Sequence, residues 1–118
     1  MKNEATGLKR IFTAYEFSIK GLKTCYQSEA AFRQEVWLAT VLIPLAIVLG
    51  KTKVEQVVLI AAVFLVLIVE MLNSAVESVV DRVGDEYHVL SGAAKDMGSA
   101  AVWLSLILLI ITWLIILI

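Results

Sequence analysis

The chain has 118 residues, 60% of them hydrophobic, with a mean hydropathy of +0.88, which leaves too few polar side chains to clothe a water-soluble domain of this size. Its formal net charge of −1 excludes the broad basic field that nucleic-acid binding needs. The one cysteine, Cys25, excludes an internal disulfide and reads as a small half-buried residue.

The N-terminal stretch is polar and of mixed charge, without the early apolar core of a secretory signal. The later apolar segments are therefore expected to direct membrane insertion themselves. In LKRIFTAYEFSIKGLKTCY, the residues Leu8, Ile11, Phe12, Tyr15, Ile19 and Leu22 recur at spacings of three and four, while Lys9, Arg10, Glu16, Lys20 and Lys23 fall largely elsewhere. That pattern predicts an amphipathic helix over about 6–28, lying on a membrane surface.

Three apolar segments follow. Val36 to Gly50 is bounded by Glu35 and Lys51 and would cover only ~22 Å, so a spanning helix has to begin earlier, within EAAF. Pro44 is tolerable there, with a kink. The next segment runs from Val54 to about Arg82, apolar first and amphipathic later, and the last from Met97 to Ile118 carries no charge. The expected organisation is one all-α membrane domain over 1–118, with transmembrane helices at 30–50, 54–82 and 92–118.

Six of the ten Lys and Arg residues lie in the N-terminal arm, and the second inter-span loop adds Arg82 and Lys95, against Lys51 and Lys53 in the first. The positive-inside rule then puts the N-terminus and second loop in the cytoplasm and the C-terminus outside.

The chemistry concentrates in VEMLNSAVESVVDR, Val69 to Arg82. On a helical wheel Glu70, Asn73, Ser74, Glu77 and Asp81 share an arc of about 100°, with Leu72, Ala75, Val76 and Val79 on the other side and Val80 at the edge of the arc. Asp81 and Arg82 suit the solvated end of a helix. Glu70 does not, because it closes a stretch that is apolar all round, and a carboxylate at that depth costs ~2.5 kcal/mol or more and is usually functional. Glu70 and Glu77 stand two turns apart, roughly 10 Å, too far to grip one ion from one helix. They suit two roles, one near a reacting proton and one near a hard cation such as Mg²⁺.

Other polar groups surround this seam. In EAAFRQE, Arg33 is an i, i+4 partner for Glu29 or a headgroup anchor, and Glu29 with Glu77 could hold a metal between helices. Ala94, Gly98, Ala101 and Ser105 form a small-residue stripe that lets helices approach closely. Lys95, beside Asp96, suits a phosphate or a snorkelling cation equally well. Gly84 and Gly92 frame a loop holding Asp85, Glu86, Tyr87 and His88. His88, without His or Cys partners, argues against zinc. Gly50-Lys51-Thr52 mimics the end of a phosphate-binding loop, but Leu45 stands where its first glycine belongs.

EAAFRQE, VEMLNSAVESVVDR, GDEYH, LSG and AKDMGSAA, in this order from about Thr6 to Trp113, closely resemble the prokaryotic diacylglycerol kinase family of small membrane enzymes. The resemblance implies a homotrimer with active sites between protomers, each protomer carrying a surface helix and three transmembrane helices. It implies transfer of the γ-phosphoryl of MgATP to diacylglycerol. Glu70 would be the general base and Asn73 would help position it. Glu29 and Glu77 would hold Mg²⁺. Lys95 and Asp96 would contact ATP, with Arg10, Asp81, Glu86 and His88 near the nucleotide, and Arg10, Glu70 and Ser99 would meet the lipid substrate. Where the family often has Tyr, this chain has Phe17, which lacks the hydroxyl. The implied location is the bacterial inner membrane. Undecaprenol is the alternative acceptor within the fold, and a small oligomeric cation or proton transporter is the rival from another class.

Overall fold

A computed structural model describes residues 6–84, 86 and 88–118. Four helices follow in order: α1 (Gly7–Ser28), α2 (Ala30–Leu49), α3 (Lys53–Val83) and α4 (Val89–Leu117). The last three are long and apolar enough to cross a membrane. At 1.5 Å per residue, the 20 residues of α2, 31 of α3 and 29 of α4 reach about 30, 46 and 43 Å. α3 is the central helix, packed against α2 on one side and α4 on the other.

α1 keeps its apolar stripe uncovered by protein, with Leu8 85%, Ile11 65%, Phe12 62% and Tyr15 61% exposed. A stripe of that kind on a helix next to membrane spans is what a lipid surface covers. Its one buried residue is Cys25, beside Ser74 of α3. Burial pushes the Cys25 thiol above its ordinary range.

α1 and α2 are joined by a single extended residue, Glu29, at φ −118° and ψ 109°. Arg33 does not pair with Glu29. Its Nη1 donates to the carbonyls of Tyr26 and Gln27 at 2.8 and 2.9 Å, capping the end of α1. The chain bends at Glu29, so the helix face on which the two would have met does not extend that far.

The α2–α3 turn is held by a closed set of hydrogen bonds. Gln56 Nε2 donates to the Ile47 and Gly50 carbonyls at 3.0 and 3.3 Å. Thr52 Oγ1 accepts from Glu55 N–H at 3.1 Å, and Glu55 Oε1 accepts from Lys51 N–H at 2.9 Å. This is a capping-box arrangement whose glutamate reaches one residue further back than usual. Gly50 is needed at this corner, because a Cβ there would lie 2.7 Å from Gln56 Cγ and 2.9 Å from the Ala46 carbonyl.

The core lies where the three long helices meet, around Ala39, Ala62, Val63, Val66 and Leu109. Small residues on α2 and α3 let the backbones approach, and Trp113 Nε1 ties α4 to α3 by donating to the Leu59 carbonyl at 3.2 Å. α4 starts at Val89 and not at 92, because His88 serves as its N-cap and Nδ1 accepts from Leu90 N–H at 3.0 Å. Gly92 is therefore helical.

The radius of gyration is 17.3 Å, against about 13.5 Å for a compact soluble domain of this length. The described residues form a slab of 48 × 41 × 21 Å, thin enough that most large apolar side chains of α2 to α4 face outward.

Candidate active site

The polar seam of α3 divides by depth. Glu70 lies seventeen residues past Lys53 (70 − 53), Asn73 twenty and Glu77 twenty-four. The corresponding rises are about 25, 30 and 36 Å, against a hydrocarbon core of about 30 Å. With Lys51 and Lys53 at one boundary, Glu70 falls just inside the other, Asn73 at it and Glu77 beyond it. Glu70 is 6% and Ser74 8% exposed, Asn73 and Glu77 are half-buried, and Asp81 is exposed.

Glu70 does not stand alone at its level. Glu35, from the second turn of α2, brings its carboxyl into hydrogen-bonding range of the Glu70 carboxyl. Glu35 Oε2 is buried with no hydrogen-bond partner among the described residues. Glu29, at the α1–α2 bend, and Glu77, on α3, lie within electrostatic range of Glu70. A carboxyl pair in contact at the edge of an apolar medium is held together by a proton, a cation or a polar ligand between them. In the sequence Glu35 stands out only as the boundary of an apolar segment and the last residue of EAAFRQE. The signal that would have singled it out is the one used for Glu70, an acid directly against a membrane-length apolar run.

One turn nearer the surface, Asn73 Nδ2 donates to Glu77 Oε1 at 2.9 Å. Asn73 Oδ1 is buried without a hydrogen-bond partner among the described residues. Further out, Lys95 Nζ of α4 meets Asp81 Oδ1 at 2.7 Å, the one ion pair among the described residues. Both side chains are largely accessible, 44% and 64% exposed. They border a polar cleft of about 400 Å³ that also takes in Glu86, His88, Ser91 and Gly92. The cleft thus gathers Asp81, Glu86, His88 and Lys95. Asp85 and Tyr87 of the same loop lie outside the described residues.

The remaining expected residues stand apart within one chain. Arg10 is exposed near the start of α1, nineteen residues (29 − 10) before Glu29, which is about 28 Å along the helix. Asp96 and Ser99 are exposed on α4 and do not line the cleft. Phe17 lies under Lys20, whose Nζ is 5.7 Å from the ring centroid, so the ring packs by a cation–π contact. Among the described residues no three His, Cys, Asp or Glu side chains converge as a metal cluster.

Between α1, α2 and α3, on the apolar side of the bend, opens a cleft of about 580 Å³ lined by Leu22, Tyr26, Phe32, Phe64 and Met71 among others. An apolar groove, a pair of acids in contact and a cation-bearing polar cleft thus follow one another along a small helical protein with three membrane-length helices.

The profile of the family Prokaryotic diacylglycerol kinase matches residues 16–117. The chain is 51% identical over 117 residues to the diacylglycerol kinase of Escherichia coli strain K12, covering 99% of this chain and 96% of that one. It is 49% identical over 110 residues to the diacylglycerol kinase of Haemophilus influenzae, with 93% of each covered, and 51% identical over 108 residues to that of Pseudomonas aeruginosa, with 92% and 88% covered. This chain belongs to the prokaryotic diacylglycerol kinase family.

Proposed function

We propose that the chain transfers the γ-phosphoryl of ATP to the free hydroxyl of diacylglycerol in a bacterial inner membrane, giving phosphatidic acid and ADP. The observation that carries this reading is the order of groups by depth along α3 and α4. Glu70 and Glu35 sit just inside the hydrocarbon boundary, where the hydroxyl of a lipid waits. Glu77, Asp81 and Lys95 sit in the aqueous layer, where a water-soluble nucleotide arrives. Similarity to the diacylglycerol kinases of Escherichia coli, Haemophilus influenzae and Pseudomonas aeruginosa supports diacylglycerol as the acceptor.

Glu70 takes the hydroxyl proton as the hydroxyl oxygen bonds to the γ-phosphorus and the bond from that phosphorus to the β–γ bridging oxygen breaks. Glu35, in contact with it, steadies the Glu70 carboxyl. Asn73 fixes Glu77 through the amide hydrogen bond. Lys95 exchanges Asp81 for the nucleotide phosphates, a swap that an exposed ion pair permits at small cost. Asp81, Glu86 and His88 border the polar cleft that would receive the nucleotide, and Asp96 would reach a nucleotide held against a neighbouring copy. Phosphoryl transfer asks the protein mainly for alignment and charge neutralisation.

The donor set suits Mg²⁺. It consists of carboxylate oxygens, and the buried Glu35 Oε2 atom lacks a hydrogen-bond partner among the described residues. Few protein ligands converge, as expected of a cation that takes one or two carboxylates and completes its shell with phosphate and water. Glu29 and Glu77 would hold it, and when bound it supplies neutralisation of phosphate charge.

A homotrimer is supported by the thin slab with outward apolar faces and by the separation of Arg10, Asp96 and Ser99 from the cleft in one chain, which a neighbouring copy would bridge. The cytoplasmic placement of the N-terminus and second loop rests on the uneven distribution of Lys and Arg.

The deciding experiment is phosphate transfer from labelled ATP to diacylglycerol in mixed micelles, with and without Mg²⁺, with undecaprenol as a parallel acceptor. Labelled phosphatidic acid that requires Mg²⁺ is the expected product. Preference for undecaprenol would reassign the acceptor. Proton or cation flux in proteoliposomes without ATP turnover would overturn the kinase reading.

A further inference from the structure

Gly98 lies on α4 where that helix crosses the polar seam of α3. A Cβ built on Gly98 would fall onto Asn73 Oδ1 and lie 3.2 Å from Asn73 Cγ and 3.8 Å from Asn73 Cβ. The Asn73 amide therefore occupies the space a side chain at 98 would take. On its other edge the same amide donates from Nδ2 to Glu77 Oε1 at 2.9 Å. Its Oδ1 is buried without a hydrogen-bond partner among the described residues. It faces the Cα–H of Gly98, a weak donor that a carbonyl oxygen tolerates. The adjoining cavity of about 210 Å³ is walled by Val69, Leu72, Val76 and Ala101, so an amide turned away from its present pose finds no replacement partner there.

We propose that Gly98 is a positioning residue for Glu77: its missing side chain leaves the space that holds the Asn73 amide in the one orientation that donates to the Glu77 carboxylate. A methyl group at 98 does not need to separate the helices. The contact it makes is with the far end of a side chain, and rotation of the Asn73 amide relieves it. That rotation withdraws Nδ2 from Glu77 and turns a polar amide into an apolar cavity. Gly98 is thus more than a spacer in a small-residue stripe. The functional consequence rests on the phosphoryl-transfer reading above, whereas the contact among Gly98, Asn73 and Glu77 does not.

The test is a double-substitution cycle on the full chain, with Gly98→Ala made alone and together with Asn73→Ser, which shortens the side chain and removes the amide. Two quantities are read: the kinetics of diacylglycerol phosphorylation at varied MgATP, and the thermal melting midpoint in detergent. Gly98→Ala alone is expected to lower kcat/KM for MgATP at least tenfold with the oligomer intact, and to change it by less than twofold when added to Asn73→Ser. Alanine favours helix over glycine, so Gly98→Ala is expected to shift the midpoint upward more on the Asn73→Ser background than on the parent. Equal kinetic losses on both backgrounds with equal melting shifts would assign Gly98 to helix spacing alone and overturn the proposal, as would parent-like kinetics of Gly98→Ala. If Gly98→Ala fails to assemble, the double variant should recover assembly, and failure of both overturns it. If the parent chain phosphorylates no diacylglycerol, the proposed function falls, and the melting cycle decides the contact.

Discussion

The two ends of α3 both carry polar side chains, and they use them differently. At the N-terminal end Thr52, Glu55 and Gln56 each have a backbone partner, in hydrogen bonds of 3.3 Å or less. These bonds close the α2–α3 corner. At the C-terminal end, oxygens of Glu35, Asn73 and Ser74 are buried without a hydrogen-bond partner among the described residues, and the Lys95–Asp81 pair is open to solvent. A buried polar atom left unpaired costs about 1–3 kcal/mol. A fold that turns its polar groups onto the backbone at one corner, and sets paired acids and a solvent-open ion pair at the other, keeps the second corner for something that binds there. The first corner is therefore expected to govern stability and the second activity.

The largest effect is expected from Glu70→Gln. It keeps the shape and removes the base, and turnover should fall by roughly 10²–10⁴-fold with little change in KM for ATP. The check is a steady-state assay in mixed micelles, and near-normal turnover would remove Glu70 from proton transfer. Asn73→Ala comes next. It deletes a hydrogen bond to a charged group, worth about 1.5–3 kcal/mol, and kcat/KM for MgATP should drop by roughly ten- to a hundredfold while the melting midpoint moves little.

At the opposite corner the order reverses. Gln56→Ala strips two carbonyls of their donor, and stability should fall by about 0.5–1.5 kcal/mol, read as an earlier unfolding transition in denaturant. Turnover per folded molecule should stay at the parent value. A large loss of turnover in the folded fraction would mean that the two ends are coupled through α3 and would blunt the contrast. The smallest effect concerns Cys25. Burial raises its pKa and so lowers its thiolate fraction at neutral pH. Alkylation by iodoacetamide should be slow in the folded chain and become ordinary on unfolding.

Much of this molecule is legible from periodicity. The stripe on α1 and the seam from Glu70 to Asp81 are properties of one helix, set by spacing along one chain. Lengths of apolar runs against the bilayer thickness yield the three spans in the same way. What spacing did not show are the contacts that need a second helix in a particular register. Glu35 meets Glu70, Asn73 fits against Gly98, and Lys95 reaches Asp81, each joining residues on different helices. Arg33 shows the same limit at short range. As an i, i+4 neighbour of Glu29 it invites an ion pair, yet one extended residue at the bend redirects it to the end of α1.

The sequence by itself determined the helices, the apolar spans and the order of the acids along the seam, because hydrophobic length and helical period are local quantities; the family was legible in its motifs. The tertiary structure alone decided which acids meet, which polar atoms are left open and which glycine makes room for an amide. Those outcomes depend on how closely two helices approach and at what rotation, and that is settled by packing among all of them together.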